Sequence, residues 1–65
     1  MYGNLYKEMR ANKVTQDVVA KMLGLSNTSM SMKVRGVTDF SSSEMFAIKE
    51  HFFPDLTLEY LFEKN

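Results

Sequence analysis

One pattern recurs four times in this chain of 65 residues: an apolar residue, then a serine or threonine, then an apolar residue four positions further on. The four copies are Val14-Thr15 with Val19, Leu25-Ser26 with Met30, Phe40-Ser41 with Met45, and Leu56-Thr57 with Leu61. A hydroxyl side chain at an N-cap, flanked by two apolar residues that contact each other, is the hydrophobic staple that starts a helix. Four such starts predict an all-α chain of short helices.

These starts and the breaks between them divide the chain into five helices. The predicted helices cover residues 4–12, 15–23, 26–35, 41–53 and 57–64. Asn4 is the expected N-cap of the first helix, and Ser41 with Glu44 predicts a capping box at the fourth. The breaks lie at Gly24, residues 36–40 and Pro54-Asp55. Because no stretch alternates as a strand does, we expect one compact five-helix domain spanning residues 1–65.

The apolar residues at inward-facing helical positions form the predicted core. They are Leu5, Met9, Val14, Val19, Ala20, Leu23, Leu25, Met30, Val34, Met45, Ile48, Phe52, Leu56, Leu58, Leu61 and Phe62. Cysteine is absent, so neither a disulfide nor a cysteine-ligated zinc ion can hold so short a chain together. The apolar core must therefore do so.

The charges are unevenly distributed although the net charge is zero. Residues 1–36 hold six basic and two acidic side chains, a net charge of +4, whereas residues 37–65 hold two basic and six acidic ones, a net charge of −4. Such a chain can present a basic face to phosphate groups while its acidic part points away. Charges scattered only for solubility are the alternative.

Several classes of function lack the residues they need. No apolar run could span a bilayer and no secretory signal precedes the first helix, so we expect a cytoplasmic protein without membrane contact. His51 is the only histidine, no acid–base or metal set converges on it, and capping explains the serines at 41–43. We expect no catalytic site, no metal, no cofactor and no small-molecule substrate.

The third predicted helix has a polar, acid-free outer face. Met30 and Val34 turn inward, which places the following side chains on one outer surface: Asn27, Thr28, Ser31, Met32 and Arg35. A ten-residue helix is about 15 Å long and fits a major groove about 12 Å wide. Asparagine can hydrogen-bond to an adenine edge, and serine or threonine can hydrogen-bond to either base type. Methionine can contact a thymine methyl group. An ordinary solvated helix face is the alternative.

The second predicted helix adds a candidate phosphate contact. Gln16 stands just inside the Thr15 cap, where free backbone amides can bind an anion. A solvent-exposed glutamine is the alternative. Gly24 permits a close corner between the second and third helices, as in a helix-turn-helix, which we place at about residues 15–35.

Residues 15–36, TQDVVAKMLGLSNTSMSMKVRG, resemble the helix-turn-helix of the Cro/cI-type (XRE-like) repressors, which have the lambda-repressor-like DNA-binding fold. The shared frame is Gln16, Ala20, Leu23, Gly24, Leu25, Ser26, Met30 and Gly36. The flanking segments NLYKEMR, SSSEMFAIKEHF and LTLEYLF are similar to the first and the last two helices of that family. The ending MKVRG, with TDFS beyond it, is similar to small prophage-encoded members.

The resemblance implies a sequence-specific regulator, a repressor, that binds double-stranded DNA as a homodimer. Carried over by position, the base contacts would be Asn27, Thr28, Ser31 and Met32. The backbone contacts would be Gln16, Arg35, Lys33, Thr38 and Arg10. We expect the homodimer to form through the last helix and the Leu58–Phe62 region.

The chain departs from the family at the end of the third helix. Lys33 stands where the family often has an apolar core residue. Position 34 is valine, so the family's pairing of the first-helix arginine with a glutamate near the end of the recognition helix is missing. Arg10 is then turned either to DNA phosphate or to another acid.

The second helix departs from the family as well. Val18 and Met22 replace residues that are usually charged, and four-residue spacing makes them an apolar strip. The strip either packs on terminal residues such as Tyr2 or forms a partner surface. The second possibility supports an alternative function, a protein-interaction module of anti-repressor or antitoxin-like type. Neutral net charge and the absence of Lys and Arg from residues 27–32 favour that alternative.

Overall fold

A computed structural model describes residues 1–64 and folds them into five helices. In chain order these are α1 (Gly3–Ala11), α2 (Gln16–Leu23), α3 (Asn27–Val34), α4 (Ser42–Phe52) and α5 (Leu58–Leu61). No strand occurs within residues 1–64. The all-α architecture of five short helices predicted from the sequence is confirmed.

Hydroxyl caps start four of the five helices. Each cap oxygen accepts a hydrogen bond at 3.1–3.2 Å from the backbone N–H three residues further on; the four caps are Thr15, Ser26, Ser41 and Thr57. At α4 the Glu44 carboxylate also accepts the N–H of Ser41 at 2.8 Å, which completes the predicted capping box. The repeated sequence pattern therefore marks real helix starts.

Two predicted helix ends are wrong. Asn4 does not cap α1, which begins at Gly3 without a side-chain cap. The Asn4 amide instead donates to the Tyr60 carbonyl at 2.9 Å and joins α1 to the end of the chain. Helix α5 ends at Leu61 rather than at residue 64, because Phe62 leaves helical geometry and packs its ring against the core.

The core follows the predicted apolar set, with three aromatic additions. The predicted residues that are buried are Leu5, Met9, Val19, Ala20, Met30, Val34, Ile48 and Leu61. Those that pack partly buried against them are Val14, Leu23, Leu25, Met45, Phe52, Leu56 and Phe62. Leu58 is partly buried and lies outside this cluster, so its place in the predicted core is wrong. Tyr2, Phe40 and Phe53 are buried and were not in the predicted set.

Three rings close the fold at the end of α3. Tyr2, Phe40 and Phe62 lie 5.2–5.9 Å apart between ring centroids and pack edge-to-face or tilted. The Tyr2 N–H also donates to the carbonyl of Val34 at 2.9 Å. The start of the chain, the α3–α4 connection and the end of the chain therefore meet at the last turn of α3. The helices within residues 1–64 are too short or too polar to cross a membrane.

Candidate nucleic-acid interface

Helix α3 carries the polar face that the sequence predicts. Met30 and Val34 are buried beneath it. On the outer side Asn27, Thr28 and Arg35 are exposed, and Ser31 and Met32 are partly buried. The side chains at the two ends of this face are therefore more accessible than those in its middle.

Helices α2 and α3 pack against each other more extensively than any other two helices of the described residues. Gly24 ends α2 with φ of 73°, a left-handed conformation that a residue with a Cβ adopts only under strain. The N–H of Leu25 then donates to the carbonyl of Ala20 at 2.9 Å, and Ser26 caps α3 at once. The corner between the two helices is fixed by hydrogen bonds on both sides.

A cleft of about 360 Å³ lies between the end of α1 and the start of α2. It is lined by Tyr6, Met9, Arg10, Lys13, Val14, Thr15 and Gln16. Two cations thus stand beside the N-terminus of α2, where the helix dipole also favours an anion. Gln16 is partly buried and lines this cleft, and its contact with a phosphate stays a prediction.

Arg10 has no acidic partner within residues 1–64. Its guanidinium donates to the hydroxyl of Tyr6 at 3.4 Å and lies over the same ring, 5.6 Å from the centroid. The sequence left two alternatives for Arg10, and one of them, an ion pair with another acidic side chain, does not occur within residues 1–64. Arg10 lines the cleft, and its contact with a DNA phosphate stays a prediction.

Lys33 is engaged within the protein rather than free. Its ammonium donates to the Asp39 carbonyl at 2.8 Å, lies 3.2 Å from the Glu44 carboxylate and sits over the Phe40 ring at 5.8 Å. Thr38, the neighbouring candidate, is exposed, and its N–H turns back to the carbonyl of Met32 at 3.4 Å. Of these two side chains, that of Thr38 is exposed and that of Lys33 is largely covered, and both contacts with DNA stay predictions.

The Glu44 carboxylate is held in its charged form. Burial alone would raise its pKa, but the hydrogen bonds from the Ser41 N–H and from Lys33 outweigh burial, and the pKa lies below its ordinary value of 4.5. The pKa of Asp39 is also lowered, chiefly by the hydrogen bond from Lys64. Both carboxylates that neighbour the end of α3 are therefore ionised at neutral pH.

The predicted Val18/Met22 strip is only half exposed. Val18 is 47 % exposed, whereas Met22 is partly buried against the core. Tyr2, which was the expected contact of the strip, packs its ring against Phe40 and Phe62. Two further apolar side chains that the sequence analysis did not single out are more exposed, Phe46 at 53 % and Val37 at 63 %.

The surface predicted for homodimerisation is largely used inside the domain. Leu61 is fully buried, Phe62 belongs to the ring cluster, and Leu58 is partly buried. The homodimer stays a prediction.

One candidate residue was missed by reasoning from the sequence. Lys13 lines the cleft just after the end of α1, where its φ is 58° and its N–H donates to the carbonyl of Arg10 at 3.3 Å. Its only sequence signal is a basic residue between a helix end and a threonine cap, and that signal is weak.

Comparison of the chain with protein-family models, with curated proteins and with solved structures finds no match.

The lowered pKa of Glu44 predicts a loss of stability in acid. A carboxylate whose folded pKa is below its unfolded pKa stabilises the fold above the unfolded value, and this contribution is lost as the pH falls through the folded value. We expect the free energy of unfolding, measured by urea titration, to fall as the pH drops from 4.5 through the lower folded pKa of Glu44. Glu44→Gln keeps the capping acceptor and should fall less steeply. Glu50→Gln, at an exposed position of α4, is the control and should follow the parent chain.

Proposed function

We propose that this chain is a sequence-specific, double-stranded-DNA-binding transcriptional regulator of the Cro/cI type, a cytoplasmic repressor of prophage origin. The observation that carries the proposal is the acid-free surface that α3 exposes while it is held against α2. No acidic residue occurs between Asp17 and Asp39. An α-helix with its side chains is about 10–12 Å across and fits a major groove about 12 Å wide.

The proposed base contacts are the outward side chains of α3: Asn27, Thr28, Ser31 and Met32. Asn27 is the main candidate, because it is exposed in the first turn and its amide can bond both edge atoms of an adenine. Ser31 and Met32, which are partly buried, would contact bases only where the groove walls approach the helix.

The proposed backbone contacts surround that face. Gln16, Arg10 and Lys13 would bind one phosphate in the cleft at the start of α2, and Arg35 and Thr38 would bind the backbone beyond the end of α3. Because the net charge of the whole chain is zero, affinity would come from these local cations rather than from the overall field.

Salt dependence separates this proposal from the alternative. Fluorescence anisotropy of a mixed-sequence duplex should show log affinity falling linearly with log salt, by about 0.9 for each phosphate contacted. Flat, negligible binding at low salt would contradict the proposal. It would favour a protein-interaction module instead, for which the exposed Val18 is the supporting observation.

Two substitutions should separate base contacts from backbone contacts on the preferred site of a random-duplex selection. Asn27→Ala should cost about 1–3 kcal/mol on that site and relax one base position. Arg35→Ala should weaken all duplexes alike and reduce the salt slope by about 1. Lys7→Ala removes an exposed cation of α1 outside the proposed contacts and should change neither quantity. Equal losses for Asn27→Ala and Arg35→Ala on every sequence would show that the base assignment is wrong.

The oligomeric state on DNA follows from the same proposal. Regulators of this kind bind paired half-sites about one helical turn apart, so we expect two copies of the chain per operator in sedimentation velocity runs. The matched control is a duplex with one half-site scrambled, on which a single copy should bind weakly. Tight binding of one copy to a single half-site would overturn the homodimer.

A further inference from the structure

One carboxylate oxygen joins the end of α3 to the start of α4. Glu44 Oε1 accepts the N–H of Ser41 at 2.8 Å, and the same oxygen lies 3.2 Å from Lys33 Nζ. The side chains of Lys33 and Glu44 are each only 18 % exposed. An ion pair screened from water to this extent is held more firmly than one on the open surface.

The Lys33 ammonium also fixes the connection between the two helices. Its second acceptor is the carbonyl of Asp39, at 2.8 Å, and its charge lies over the ring of Phe40. The backbone of this connection turns through Gly36, whose φ is 82°, and the N–H of Val37 donates back to the carbonyl of Met32 at 2.9 Å. The Lys33 side chain thus links α3 by a hydrogen bond to Asp39, near the end of the connection that leads into α4.

We propose that Lys33 is a positioning residue and not a DNA contact: its ammonium, held by Glu44 and the Asp39 carbonyl, locks the last turn of α3 to the start of α4. The lock keeps the base-contacting face of α3 at a fixed angle to the rest of the domain. Its effect on DNA recognition rests on the proposed function, whereas the lock itself is a property of the free protein.

The test is a double-mutant cycle of Lys33→Met and Glu44→Gln. Methionine keeps an unbranched apolar chain over Phe40 and removes the ammonium. Glutamine keeps the acceptor of the capping box and removes the charge. Lys7→Met, at an exposed position of α1, is the matched control for the loss of a lysine.

On DNA, each single variant should lower the ratio of cognate to mixed-sequence affinity by about threefold to tenfold, and the double variant should be no worse than either single one. The salt slope should not change, because no phosphate contact is lost. If Lys33→Met instead lowers the slope by about 1 on every duplex while Glu44→Gln keeps full affinity, Lys33 is a phosphate contact and the proposal is overturned.

Amide hydrogen exchange of the free protein tests the lock without DNA. The amides of Arg35, Val37 and Thr38 should exchange several-fold faster in both single variants than in the parent and in Lys7→Met. Unchanged exchange in both single variants would overturn the lock. If exchange accelerates but the parent chain binds no duplex, the proposed function fails while the lock stands.

Discussion

None of the five helices is long enough to be stable by itself, and the whole structure depends on what replaces that missing stability. The longest, α4, has 11 residues and α5 has four, whereas isolated helices need about 12–15 residues to form in water. Four of the helices are therefore started by a hydroxyl cap, α1 begins without a side-chain cap, and all five are completed by burial of one face. The hydroxyl caps supply the starts, and the apolar residue on either side of each cap lies in the core or packs against it.

Burial of three rings holds the least regular part of the chain. Tyr2, Phe40 and Phe62 come from outside the helices, yet they pack against one another where α3 ends. The hydroxyl of Tyr2 donates to Asp39 at 3.2 Å, and Lys64 pairs with the same carboxylate. The α3–α4 connection is thus held by apolar packing on one side and by charged groups on the other.

The sequence predicts local structure well and predicts contacts between distant residues poorly. The caps, the capping box and the inward positions of α3 depend on neighbours within four residues, so spacing alone is enough to find them. Phe40 precedes the cap of the third staple and could have been placed in the core, as the other residues that precede caps were. Tyr2 was missed because it precedes α1, where periodicity carries no information about burial. The pairing of Lys33 with Glu44 was missed for the same reason: it joins two helices across a glycine turn that no periodic pattern describes.

The part of the candidate site that depends on local spacing was also predictable from the sequence. The outward face of α3 follows from helical spacing once Met30 and Val34 are placed inward. The cleft beside Gln16 does not, because it needs the end of α1 to approach the start of α2. The distinction between Arg35, which is exposed, and Lys33, which is not, also depends on tertiary contacts.

The ion pairs of the folded chain show which of the unevenly distributed charges are neutralised and which are left unpaired. Within residues 1–64 the ion pairs are Lys21–Asp17, Lys33–Glu44 and Lys64–Asp39. Two of the three involve acids from the second half of the chain, and both lie beside the end of α3. The exposed basic residues without an ion pair in that part of the chain are Lys7, Arg10, Lys13 and Arg35, all from residues 1–36. A fold that pairs the acids nearest α3 and leaves Arg10, Lys13 and Arg35 unpaired would, under the proposed function, offer local cations to a phosphate backbone although the net charge is zero.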